Sequence, residues 1–218
     1  MEPVNEEEKQ LRATAYYNKF SRVYDLLSSK AYYHKARSKA IETLHLESGK
    51  SVLNVPVGTG QNFEYFQTYL QGTGLILGID ISPGMLDKAR KKIKNNSWGN
   101  IVLLNRNVTD IDSSLIAEYT DNKGFDAILC DLGLSGFPEW QKIIDTLLSL
   151  LSEGGRISIM DWYIDKPSLR GEFIKWIGKG EVNRPLWQYL ESRVDDFTVN
   201  SSFNRGGVFV ASGTKKHT

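Results

Sequence analysis

The chain has 218 residues, with 27 Lys and Arg against 26 Asp and Glu and a formal net charge of +1. That balance argues against a broad nucleic-acid surface, which carries a clear basic excess, and the length is enough to bury a core without disulfides. Cys130 is the single cysteine, so no internal disulfide can form, a usage that fits a reducing compartment. The N-terminus is acidic and polar rather than a secretory signal, and no apolar run approaches a membrane span. The expectation is a single-domain cytoplasmic protein without stable membrane insertion. No His/Cys cluster has metal-ligand spacing, so no metal is expected.

Residues 5–45 read as helical, broken near Ser28 and Ser29. The first part gathers Tyr16, Tyr17, Phe20, Val23, Tyr24 and Leu27 on one face, a stripe that suits core packing. Its tyrosines differ, because a buried hydroxyl needs a partner, and they could close over a ligand. The second part holds His34, Lys35, Arg37 and Lys39, which read as a solvated face.

At 51–62 a short apolar run stops at Gly58-Thr59-Gly60, and an amphipathic segment from Phe63 to Leu70 follows at once. The pattern is strand, tight turn, helix. Gly58 and Gly60 can take positive φ and let a ligand approach the backbone beside the N-H groups that open the helix. Such turns also serve merely to reverse a chain. A second signal reinforces the first: the buried-strand run 75–81 carries Asp80 about twenty residues past Gly60, where an acid at the tip of the second parallel strand can accept both hydroxyls of a ribose.

Ser82 can cap a helix beginning at Pro83, whose run of Lys88, Arg90, Lys91, Lys92 and Lys94 reads as its wet face. Residues 101–104 form a third buried strand, and the loop after it puts Asn107 and Val108 on the carboxyl edge, as neighbours for an adenine ring. Strand four spans 125–132, a helix over 140–151 ends at a glycine stop at Gly154 and Gly155, and strand five covers 156–163. A helix over 168–178 is followed by a polar stretch at Asn183-Arg184-Pro185. Strands at 196–202 and 207–212, joined through Asn204-Arg205-Gly206, make a closing antiparallel hairpin. The expected architecture is α/β: a Rossmann-like, seven-stranded, mostly parallel sheet with one antiparallel strand, helices on both faces and an N-terminal helical lid. Within the one domain, 1–48 would be the lid, 49–163 the cofactor-binding core, and 164–218 the substrate-side helix and hairpin.

Four stretches together resemble the class I S-adenosylmethionine-dependent methyltransferases, particularly the small-molecule and lipid branch that includes quinone and phosphatidylethanolamine methyltransferases. They are Val52-Leu53-Asn54-Val55-Pro56-Val57-Gly58-Thr59-Gly60, Gly78-Ile79-Asp80-Ile81-Ser82-Pro83-Gly84-Met85-Leu86, Asn105-Arg106-Asn107-Val108, and the turn Leu151-Ser152-Glu153-Gly154-Gly155-Arg156. The resemblance implies that Gly58, Thr59 and Gly60 lie along the methionine and ribose of S-adenosyl-L-methionine and that Asp80 holds the ribose hydroxyls. Ile81 and Met85 would pack on the adenine, Asn107 would bond near its amino group with Val108 beside it, and Leu132 would line the sulfonium side. The helix holding Tyr17 and Tyr24 resembles the family's lid.

The chain departs from the pattern at Asn54, where the family has an acid, and at Pro56, where it has a glycine. One charge that would face the cofactor's ammonium group is missing, and a neutral acceptor is weaker by about a factor of two. The expected activity is methyl transfer to a small-molecule or lipid acceptor, releasing S-adenosyl-L-homocysteine, by a monomer or homodimer that does not bind nucleic acid. No single catalytic residue stands out; Asp131, Asp161 and Tyr163, near strand tips, are the candidates for a general base. Trp162, Tyr163, Trp176, Arg184 and Trp187 could wall an acceptor pocket or belong to the core. Two other readings are a non-catalytic adenosyl-binding protein on the same fold and a nucleotide-dependent oxidoreductase, the latter calling for a third glycine where Asn62 and Phe63 stand.

Overall fold

The computed structural model describes residues 30–164 and 182–216. Tyr17 and Tyr24 of the expected lid, Trp176, and the helix expected over 168–178 lie outside the described residues. Among the described residues the elements run α1 (Lys30–Glu42), β1 (Ser51–Asn54), α2 (Phe63–Leu70), β2 (Leu75–Asp80), α3 (Pro83–Asn95), β3 (Ile101–Asn105), α4 (Ser114–Tyr119), β4 (Phe125–Asp131), α5 (Trp140–Leu150), β5 (Leu151–Trp162), α6 (Leu186–Glu191), β6 (Val194–Ser202) and β7 (Val208–Lys215). The strands form one sheet in the order β3-β2-β1-β4-β5-β7-β6. β1 to β5 are parallel neighbours, and β7 runs antiparallel to both β5 and β6, as expected for the Rossmann-like methyltransferase sheet.

Side chains alternate across the sheet, so each central strand feeds two cores. Leu53, Leu77 and Ile128 point to one side, with Ile143, Ile144 and Leu147 of α5. Val52, Ile76, Ala127 and Leu129 point to the other, with Ala36, Ala40 and Ile41 of α1 and Phe63 and Phe66 of α2. Helices on both faces are why the strands read as continuous apolar runs. β3 departs from its expected buried character: it is an edge strand, and Val102 is 37% exposed.

The glycine stop expected after the fifth helix is also corrected. α5 ends at Leu150 and β5 begins immediately at Leu151, which pairs with Phe125 before a register shift. Gly154 takes its positive φ of 71° inside the strand, and a Cβ on Gly155 would stand 3.0 Å from the Phe125 carbonyl oxygen. The glycines therefore form an irregularity between paired strands. Two short helices, α4 and α6, were not anticipated. No described helix is long and apolar enough to cross a membrane.

Candidate functional site

The order of strands reverses between β1 and β4, which opens a crevice at their carboxyl ends. After β1 the backbone crosses it: the Val55 N-H donates to the Leu129 carbonyl of β4, and the Val57 N-H donates to the Ile79 carbonyl of β2 at 2.8 Å. That crossing carries the glycine bend over to the tip of β2. There the Gly58 N-H donates to Asp80 Oδ2 at 2.8 Å, while the Ser82 N-H donates to Oδ1 at 2.9 Å. The carboxylate thus faces the bend. Burial lifts its pKa, and the N-H groups of Ser82, Gly58 and Ile81 pull the other way.

Within the bend the two glycines differ. Gly58 has φ 55°, and among the described residues a Cβ there would meet nothing within 4 Å, so they leave the space above it open. Gly60, at φ 74°, has the Phe63 ring 2.3 Å from where a Cβ would stand. One glycine keeps the crevice clear and the other lets α2 begin close beneath it. Thr59 is buried and Pro56 half-buried. Pro56 packs on Gly133 of the β4 loop, where an added Cβ would lie 2.5 Å from the proline Cδ.

Asn54 is completely buried. Its amide nitrogen donates to the Leu129 carbonyl at 3.3 Å and to Asp131 Oδ1 at 3.4 Å, and its oxygen accepts from the Asn62 amide at 3.0 Å. Asn62 also donates to Asp131 Oδ1 at 2.8 Å. From the opposite side Arg37 of α1 reaches in: it donates to Gln61 Oε1 at 3.1 Å and forms an ion pair with Asp131 Oδ2 at 3.5 Å. Arg37 is only 3% exposed, so its expected place on a solvated face is corrected. The signal was available: Tyr33, Ala36, Arg37, Ala40, Ile41 and Leu44 recur at the spacing of one helical face, and all are buried. Arg37, Gln61 and Asn62 join this cluster, and the sequence reading did not place them there. Two atoms of this cluster, Arg37 Nε and Asn62 Oδ1, are buried without a hydrogen-bond partner among the described residues.

On the other flank, Met85 and Val108 are buried and Ile81 is half-buried. Ser82 caps α3 by accepting from the Met85 N-H at 3.2 Å. Asn107 holds its side-chain oxygen on the Thr109 N-H at 3.3 Å, capping the short turn Val108–Asp110. Asn105 donates to the carbonyls of Asp80 and Ile81, both at 2.9 Å, and ties the third strand tip to the second.

At the β4 and β5 tips, Leu132 adopts φ 53° and donates its N-H to the Met160 carbonyl. Asp161 has no exposed surface and accepts from the N-H and hydroxyl of Ser135, each at 2.9 Å, and from the Trp162 N-H at 2.7 Å. Burial pushes its carboxyl from the ordinary 3.8 up to about 6, against the pull of those donors. Tyr163 stacks edge-on against Trp187, and Trp187 against Phe209. Arg184 donates to the Phe137 carbonyl, and Trp162 packs on Tyr33. The residues expected to wall a pocket are thus largely engaged in packing. A separate groove of about 620 Å³ lies on the exposed side of α1, between Tyr32, His34 and Lys35 and the turn at Phe203, Asn204 and Arg205.

With that geometry in place, a family model described as a methyltransferase domain matches residues 46–187. The chain belongs to this methyltransferase family. Among its relatives, a demethylmenaquinone methyltransferase of Listeria welshimeri is 24% identical over 168 residues, covering 76% of this chain and 67% of that protein. The demethylmenaquinone methyltransferase of Lactococcus lactis is also 24% identical, over 100% of this chain and 88% of its own length. In fold, the chain is similar to a Haloferax volcanii protein solved with the Trm112 methyltransferase activator, with a TM-score of 0.69 at 13% identity, over 92% of this chain and 98% of that one. An O-methyltransferase family protein of Burkholderia thailandensis gives the same TM-score at 15% identity, over 97% of this chain and 63% of the other.

As a class I methyltransferase, the protein takes S-adenosyl-L-methionine as its cofactor. The residues present fit that molecule. Among the described residues the space above Gly58 is open, the Asp80 carboxylate bonds the Gly58 N-H, and a buried donor and acceptor in the cluster around Asp131 lack partners. The antiparallel β7 also sets the sheet apart from the parallel ending that a nicotinamide-dependent oxidoreductase calls for.

Proposed function

We propose that this methyltransferase acts on a small-molecule or lipid-type acceptor in the cytoplasm, as a monomer or homodimer, with the crevice above Gly58 as its cofactor site. The observation that carries the reading is the 2.8 Å contact between the Gly58 N-H and the Asp80 carboxylate, because it brings the bend and the acid together at the carboxyl edge of the sheet. In this reading Gly58, Thr59 and Gly60 follow the methionine and ribose, Asp80 takes the ribose hydroxyls, and Ile81, Met85 and Val108 cover the adenine. Asn107 meets the adenine edge through its amide nitrogen, its oxygen being held by Thr109. Leu132 and Pro56 flank the sulfonium side and Asn54 the methionine end.

When bound, the cofactor supplies a methyl group that is already electrophilic. The chain's part is to hold the acceptor in line and keep water out, and alignment of that kind is worth up to about 7–11 kcal/mol. Asp131 is committed to Arg37 and Asn62, and Asp161 to Ser135 and Trp162. Neither is free to take a proton from the acceptor, which leaves Tyr163 as the remaining base candidate for an acceptor that arrives protonated. The acceptor class draws support from the demethylmenaquinone methyltransferases among the relatives.

The test is calorimetry with S-adenosylhomocysteine and NAD, followed by methyl transfer to a panel of quinols, phenols and phospholipid head groups. The expected result is binding of the first ligand and not the second, turnover of one acceptor class, and more than about tenfold weaker adenosyl binding in Asp80→Ala, which loses charge-assisted bonds. Unchanged affinity in that variant would sink the placement. Binding without turnover on any acceptor would favour the non-catalytic reading, which the neutral Asn54 supports.

A further inference from the structure

The buried polar cluster around Asp131 carries an imbalance that the described residues do not resolve. Arg37 Nε is a donor and Asn62 Oδ1 an acceptor, and both are buried and unbonded among the described residues. A buried polar atom left without a partner costs roughly 1–3 kcal/mol, so native chains rarely keep one without a use. The chemistry of each orphan is specific. A free N-H on a guanidinium calls for an anion. A free amide oxygen, on a residue whose nitrogen already donates to a carboxylate, calls for a cationic N-H. A zwitterionic α-amino acid head group answers both demands at once.

Asp131 sits between these two residues, 3.5 Å from the Arg37 guanidinium and 2.8 Å from the Asn62 amide. It is also 3.4 Å from the amide nitrogen of Asn54, the neutral residue at the tip of β1. The carboxylate absent from β1 is therefore present on the adjoining strand, within hydrogen-bonding reach of the place it vacated. The ion pair with Arg37 is long at 3.5 Å, and the site has one fixed positive and one fixed negative group, matching a zwitterion.

We propose that Asp131, at the tip of β4, carries the negative charge that holds the cofactor's α-ammonium group in this chain, replacing an acid at position 54, with Asn62 Oδ1 as the second acceptor and Arg37 Nε facing the α-carboxylate. The inference rests on the cofactor site proposed above.

The test separates the two. Binding of S-adenosylhomocysteine, and of the same molecule lacking only its α-amino group, is measured by calorimetry on the wild type, on Asp131→Asn, and on the double variant Asn54→Asp with Asp131→Asn, which returns the acid to β1. The wild type should favour S-adenosylhomocysteine by at least about tenfold, as loss of a charge-assisted contact implies. Asp131→Asn should abolish most of that preference while binding the deaminated ligand within about twofold of wild type, which also shows that it folds. The double variant should recover the preference. Equal preference in wild type and Asp131→Asn, parallel loss of both ligands, or no recovery in the double variant would overturn the assignment. A wild type that binds neither ligand would instead remove the cofactor site itself.

Discussion

At the scale of single residues, Asp80 and Asp131 end neighbouring parts of the same sheet edge and have opposite surroundings. Among the described residues Asp80 is held by backbone N-H groups, whereas Asp131 is held by the side chains of Arg37, Asn54 and Asn62. That contrast suits one acid to a neutral, hydroxyl-bearing ligand and the other to a charged one. Gly60 shows how narrow the tolerance is. A Cβ at its φ of 74° would stand 2.3 Å from the Phe63 ring, so Gly60→Ala combines backbone strain with a steric clash. It should lower stability by about 1–3 kcal/mol in urea unfolding without ligand; a change near zero would mean that the bend is free to move. The contact between the glycine bend and Asp80 was legible in sequence because the residue types and their spacing put a bend and an acid on neighbouring strand tips. The burial of Arg37 was legible in the spacing of its helical face, but its partner was not, because Asp131 lies far along the chain.

At the scale of elements, local signals placed most boundaries. Ser82 and Pro83 mark the start of α3, and the cap is observed. The extent of β5 was not local: Leu151 is extended because Phe125 lies beside it, and no propensity at a leucine-rich helix end reveals that. The short helices α4 and α6 likewise lack a long periodic face. Asp161 joins two elements, clasping the β5 tip to Ser135 in the loop after β4. Its carboxyl is raised by burial from 3.8 to about 6, so between those values the folded state binds a proton that the unfolded state has lost. Stability from this group is therefore present at low pH, falls as pH rises from about 4 to 6, and stays lost above. The wild type should lose on the order of 2–3 kcal/mol more across that window than Asp161→Asn. Coincident pH slopes in urea unfolding would exclude the raised carboxyl.

At the scale of the whole molecule, ligand and fold are linked through the sheet, since the crevice is built from the tips of β1, β2 and β4 and exists only when they are in register. S-adenosylhomocysteine at about a hundred times its dissociation constant should add about 2.7 kcal/mol, which for a chain of this size is a rise in melting temperature of roughly 5–10 °C. Asp80→Ala at the same ligand concentration should show little of that rise, and NAD should give none to the wild type. A rise in Asp80→Ala equal to the wild type would place the ligand elsewhere.

The alternation of apolar strands and amphipathic segments, the closing hairpin, and the pairing of a glycine bend with an acid on the next strand are all short-range patterns, so the amino-acid sequence alone determined the fold class and pointed to the bend and the acid that the fold brings into contact. The polar cluster around Asp131 was decided only by tertiary structure. Arg37, Asn54, Asn62 and Asp131 come from α1, β1, the start of α2 and β4, and their charges balance only after a parallel sheet has brought distant segments to one edge. Long-range electrostatic pairing leaves no mark on spacing or periodicity, which is why a neutral residue at position 54 looks like a missing charge in the sequence and a relocated one in the fold.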